Sequence, residues 1–92
     1  MRTQIDVAQV FVDRCVMDHN QKKLSPEVAA EAKLFTTELL GKVVDEGVQL
    51  HGGWGYMWEY PICKMYANAR IQRIFAGTSE IMKEIISRGM KL

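Results

Sequence analysis

Residues 25–56 read SPEVAAEAKLFTTELLGKVVDEGVQLHGGWGY, from Ser25 to Tyr56, and this stretch decides the fold. Ser25-Pro26 is a helix start: a serine hydroxyl accepts a hydrogen bond from one of the orphan first-turn N–H groups, and proline suits the first helical position because its missing N–H costs nothing there. Val28, Ala32, Phe35, Leu39 and Val43 then recur at helical spacing, with Leu40, Val44 and Val48 widening the stripe. The pattern predicts one long amphipathic helix running to about Leu50. At His51-Gly52-Gly53-Trp54-Gly55-Tyr56 it must stop, since three glycines in four positions carry an entropic penalty in a helix and open the left-handed region of backbone space.

Outward from this helix the same period continues. Ile5, Ala8, Val12, Cys15 and Val16 predict a first helix from the start to about Gln21, followed by the polar stretch Asn20–Leu24. Glu59-Tyr60-Pro61 opens a third helix, with Ile62, Met65, Tyr66 and Ala69 on its apolar face, to about Ile74. Ala76-Gly77-Thr78-Ser79 breaks the pattern, and a last helix carries Ile81, Met82, Ile85 and Ile86 before fraying at Gly89. No hairpin signal, internal repeat or low-complexity tract interrupts this reading. The expectation is an all-α unit over 1–92.

Ninety-two residues leave room for one small unit, and a chain this short covers its apolar stripes poorly without a partner. The formal net charge is +1 with acidic and basic residues interleaved, which excludes the electrostatic footprint of a nucleic-acid binder. Cys15 and Cys63 form no CxxC or staple pattern and are expected to be reduced thiols. No apolar run approaches the roughly 20 residues that cross a bilayer, and Asp6 and Asp13 sit where a signal peptide would be apolar.

Two segments could carry chemistry. The HGGWGY stretch could cradle an anion through its backbone N–H groups, but it matches neither GxGxxG nor a P-loop, so a helix-ending turn explains it as well. Gly77-Thr78-Ser79-Glu80 at a helix start is a second anion or hydroxyl candidate, and a plain Thr or Ser cap explains the same residues. His19 and His51 lack a second ligand at helical spacing, so no metal site is expected, and Ser79 sits in no GxSxG elbow. Trp54, Tyr56, Trp58 and Tyr60 are expected to pack the glycine turn against the helices rather than to stack on bases.

The combination of Gln-x-x-Gly-Gly-x-Gly-Tyr from Gln49, the Tyr60-Pro61 step, Ala69-Arg70-Ile71 and Gly77-Thr78-Ser79-Glu80-Ile81 resembles the end of acyl-CoA dehydrogenases, most of all their long-chain branch. Residues 1–48 resemble the preceding helices more loosely. The resemblance implies part of an antiparallel four-helix bundle in a homo-oligomeric flavoprotein that removes an α proton and a β hydride from an acyl-CoA, giving a 2-enoyl-CoA. It implies that Gln49, Leu50, His51, Gly52 and Gly53 lie against the adenine and pyrophosphate region of FAD from a neighbouring subunit. Thr78, Ser79 and Glu80 match a second FAD-contacting turn, and Gly77 a substrate-contacting glycine.

In many members of that family the catalytic base is a Glu immediately before the Gly-Thr turn; here that position is Ala76, so no catalytic residue is expected within 1–92. The long-chain and isovaleryl branches look similar in lacking this Glu and carry the base on an earlier helix. The resemblance therefore implies a C-terminal fragment of a larger enzyme, inactive alone and completed by other domains or copies. It implies a soluble intracellular setting, cytoplasmic in a bacterium or the mitochondrial matrix in a eukaryote. The alternative is a non-catalytic helical oligomerisation module that binds no flavin.

Overall fold

The computed structural model describes residues 1–90, which form four α-helices and one short 3-10 helix with no strand among the described residues. They are α1 (Arg2–Asn20), α2 (Pro26–His51), the 3-10 helix (Gly52–Tyr56), α3 (Pro61–Ile71) and α4 (Ser79–Gly89). The start of α2 is the one its sequence dictates: Ser25 is the N-cap, its hydroxyl accepts from the Val28 N–H at 3.2 Å, and Pro26 opens the first turn.

Every other helix lies against α2, whose 26 residues make it the spine. On one side α1 returns antiparallel, so that Ile5, Ala8 and Val12 share a groove with Thr36, Leu40 and Val43. On the other side α3 and α4 follow one another along α2, both antiparallel to it. Ile62, in the first turn of α3, sits against Gly47, and Lys33 reaches the Gly77 carbonyl just ahead of α4. The end of α4 then brings Gly89 against Glu27. Gly47 is what lets α3 approach: a Cβ there would lie 2.8 Å from the Ile62 Cδ1.

The core is made of small or slender side chains, Cys15, Ala30, Leu39, Val44, Ala69 and Met82, and no large side chain is fully buried. Packing of three helices on one spine buries Ala30, Leu39 and Val44 of α2 but leaves part of its apolar stripe open. Phe35, Leu40, Val10 and Val16 remain exposed, and a groove of ≈ 400 Å³ lined by Val7, Phe11, Leu34, Phe35 and Ile86 runs between α1, α2 and α4. The ion pairs Arg2–Asp6, Arg14–Asp18 and Arg88–Glu84 each join residues one helical turn apart. Such exposed pairs contribute at most about 0.5 kcal/mol, so burial against α2 holds the helices together. Cys15 is buried and Cys63 half-buried, and both are free thiols. No helix among the described residues is long and apolar enough to cross a membrane.

The third helix ends at Ile71, three residues before the expected Ile74. Beyond Ile71 the chain tightens: the Gln72 N–H donates to the Ala69 carbonyl and the Ile74 N–H to the Ile71 carbonyl, spacings of three residues rather than four. Ile74 and Phe75 extend the apolar pattern through this turn, which is why periodicity alone overshoots.

Candidate functional site

The first turn of interest closes α2. Gly52 stands at φ +65°, the left-handed position that ends a helix most cheaply with glycine, and its N–H donates to the Gln49 carbonyl. Gly55 serves a different purpose, close approach: a Cβ there would meet the Val48 carbonyl oxygen at 2.7 Å and the His51 Cβ at 2.9 Å. Around Gly53 nothing lies within 4 Å of an added Cβ.

Gln49, His51 and Gly53 are exposed, and Leu50 is 81% exposed, so this turn presents its backbone and side chains outward. The His51 Nδ1 lies 2.7 Å from the Gly47 carbonyl oxygen. A carbonyl can only accept, so Nδ1 carries the proton and Nε2 is left for another partner.

Three of the four aromatic residues expected to plug this turn against the helices, Trp54, Tyr56 and Trp58, do not do so, whereas Tyr60 is half-buried. Trp54 stacks on Tyr60 with ring centroids 5.7 Å apart, and the Lys64 ammonium lies 5.5 Å from the Trp58 ring centroid. Yet Trp54, Tyr56 and Trp58 are all more than half exposed. With Gly55 drawn tight against Val48, the turn is too close to α2 to lay indole rings between them. The Trp54 ring pairs with Tyr60 instead, while Trp58 takes the Lys64 ammonium on its face.

The second turn joins α3 to α4. Ala76 sits at φ +54° and Gly77 at φ +103°, two successive positive values, of which the first is costly for any residue with a Cβ. Gly77 is further restricted because a Cβ would meet the Met82 Cε at 2.6 Å. Thr78 is the N-cap of α4: its hydroxyl accepts from the Ile81 N–H at 3.2 Å. The Ser79 N–H donates to the Arg73 carbonyl at 3.0 Å.

Two of the first-turn donors expected to be open to a ligand are therefore committed. The N–H groups of Thr78 and Glu80 have no acceptor among the described residues. Ser79 is buried, and its Oγ and the Arg73 Nε both lack a partner. They border a cleft of ≈ 170 Å³ shared with Glu38, Arg70, Thr78 and Lys83. Ala76 is exposed, and its side chain is only a methyl group.

The two turns do not converge into one pocket. They cap opposite ends of α3, whose 11 residues span about 16 Å at 1.5 Å per residue. Gln49–Gly53 thus cluster at one end of the molecule, and Gly77–Glu80 lie beside the middle of α2. Among the described residues no group of three His, Cys, Asp or Glu side chains is placed to hold a metal ion. One polar contact at the second turn is invisible from sequence spacing: the Lys33 ammonium donates to the Gly77 carbonyl across a separation of 44 residues.

A family model described as "Acyl-CoA dehydrogenase, C-terminal domain" matches residues 1–91. The chain is 53% identical over 88 residues to the long-chain specific acyl-CoA dehydrogenase, mitochondrial, of Mus musculus, an alignment covering 96% of this chain and 20% of that protein. It superposes with a TM-score of 0.97 on a crystal structure of acyl-CoA dehydrogenase from Geobacillus kaustophilus, at 41% identity, covering 100% of this chain and 24% of that one. Against butyryl-CoA dehydrogenase from Megasphaera elsdenii the TM-score is 0.94 at 29% identity, again with 100% of this chain and 24% of the other. The chain spans about a fifth to a quarter of the length of these relatives. The matched family and the shared arrangement of helices together establish that the chain belongs to the acyl-CoA dehydrogenase family and corresponds to its C-terminal helical domain.

Proposed function

We propose that this segment works within an FAD-dependent acyl-CoA dehydrogenase that converts acyl-CoA thioesters to 2-enoyl-CoA, supplying flavin-contacting turns and oligomer contacts. The observation that carries the reading is the pair of glycine-bearing turns, each exposing backbone at a helix end. Gln49, Leu50, His51, Gly52 and Gly53 would border the adenine and pyrophosphate part of an FAD held largely by a neighbouring subunit. The exposed Leu50 offers apolar contact to a ring, and the unengaged Nε2 of His51 offers a polar one.

Thr78, Ser79 and Glu80 would form the second flavin contact. Here the uncommitted N–H groups of Thr78 and Glu80, at the positive end of α4, suit an electron-rich acceptor. Gly77 would pass close to the acyl-CoA, where its lack of a side chain leaves room. These donors and the orphaned Ser79 Oγ fit a polar, partly anionic ligand but supply only part of a dinucleotide site. FAD, when bound, would supply the redox chemistry by accepting the substrate's β hydrogen.

The proton base must come from outside residues 1–92. The Ala76 side chain has no acceptor, and Glu80 and Glu84 lie four and eight residues further on, in the first and second turns of α4. A general base has to come within about 3 Å of its proton donor or act through one water. The chain's own contribution is accordingly to bind and orient.

A chimera tests the proposal: this chain in place of the matching quarter of the Geobacillus kaustophilus enzyme. Retained flavin absorbance and dehydrogenation of an acyl-CoA are the expected result. A second reading, a helical oligomerisation module without flavin, is favoured by the open groove along α1, α2 and α4. It predicts a chimera that assembles but stays colourless after added FAD.

A further inference from the structure

Lys33 lies in the N-terminal third of α2, and its ammonium donates to the carbonyl of Gly77. The acceptor belongs to the most constrained piece of backbone in the molecule. Ala76 and Gly77 are both at positive φ, and nothing within the turn itself bonds the Gly77 carbonyl. A charged donor is the strongest single tether available to such a carbonyl, roughly twice as strong as a neutral one.

The tether has a directional consequence. The Gly77–Thr78 peptide is trans, as are all the peptide bonds of the described residues. In a planar trans peptide the C=O and the N–H point in opposite directions. A carbonyl held toward Lys33 therefore turns the Thr78 N–H away from the Lys33 ammonium, and that N–H has no acceptor among the described residues. The same peptide sets the entry to α4, where the Thr78 hydroxyl caps Ile81 and the Ser79 N–H returns to Arg73.

From this we infer that Lys33 is a positioning residue: it locks the Gly77–Thr78 peptide so that the Thr78 N–H is presented to the flavin cofactor. The inference rests on the proposed role of Thr78–Glu80 in flavin contact, and it adds a residue on another helix, 44 positions earlier, to the machinery of that turn. Lys33 does not touch the ligand; it acts through the backbone.

Two measurements separate the parts. In the 92-residue chain, amide hydrogen exchange reads the turn without any flavin. Lys33→Met should speed exchange of the Ser79 N–H about tenfold or more, the equivalent of losing one charge-assisted hydrogen bond. Lys33→Arg, which keeps a cationic donor, should restore it. In the flavin-bearing chimera, Lys33→Met should release flavin about tenfold faster, and Lys33→Arg should recover it.

Unaltered Ser79 exchange in Lys33→Met overturns the tether. Altered exchange with unaltered flavin retention overturns the positioning role while leaving the tether. The flavin reading of the turn is judged separately by Thr78→Pro, which removes that N–H in a Lys33-intact chimera: unchanged flavin retention there refutes the reading itself. Should Lys33→Met fail to fold, Lys33→Gln retains a neutral donor and is expected to give a smaller change in the same direction; no change overturns the proposal.

Discussion

Gly55→Ala places one methyl group where the 3-10 helix meets α2. The added Cβ would stand 2.7 Å from the Val48 carbonyl oxygen, 2.9 Å from the His51 Cβ and 3.1 Å from the Val48 Cα. Two of these three atoms are backbone in the last turns of α2, so no flexible side-chain end can yield. Relief requires the turn to move off the helix, and overpacking of this kind costs about 1–3 kcal/mol. Because the clash is with backbone, the upper half of that range applies, about 2–3 kcal/mol. For a domain of this size each kcal/mol lowers the melting temperature by about 4–8 °C, so a drop of at least about 8 °C is expected. Thermal unfolding followed by far-UV circular dichroism reads it directly. Gly53→Ala is the internal control, since its Cβ meets nothing within 4 Å; its melting temperature should stay within about 2 °C of the parent. Equal melting temperatures for the two variants would refute the claim that close approach, rather than turn conformation, requires glycine at position 55.

Other outcomes follow from the same contacts. Ser25→Ala removes the hydroxyl that accepts from Val28 and should cost about 1 kcal/mol in urea unfolding. Ala76→Gly relieves a side chain held at φ +54°, and it should stabilise by about 0.5–1 kcal/mol after the flexibility of an unfolded glycine is subtracted. With the groove of Val7, Phe11, Leu34, Phe35 and Ile86 open, the isolated chain should self-associate in sedimentation velocity at micromolar concentration, where a clean monomer would count against the reading.

The sequence revealed whatever was locally encoded. Ser25-Pro26 and Thr78 could be read as caps because the hydroxyl and the N–H it serves lie three residues apart. Gly52 could be read as the end of α2 because the left-handed position favours glycine. The end of α3 was misplaced because Ile74 and Phe75 keep the apolar rhythm through a turn that is no longer α-helical. The outward placement of Trp54, Tyr56 and Trp58 depends on how tightly Gly55 sits on Val48, a distance that composition does not carry. The burial of the Ser79 Oγ and the contact of Lys33 with Gly77 depend on α3, α4 and α2 meeting, so no spacing rule announces them. That the two candidate turns flank α3 was legible from their order along the chain.

The central proposal is that this segment contributes flavin contacts but not the base. Its most direct test is exchange of the substrate's α proton in deuterated water, measured on the flavin-bearing chimera with a bound acyl-CoA, before and after Glu80→Gln. The account predicts that Glu80→Gln weakens flavin retention while exchange per flavin-loaded molecule is preserved. Loss of exchange at unchanged flavin occupancy would place the base inside this segment and contradict it.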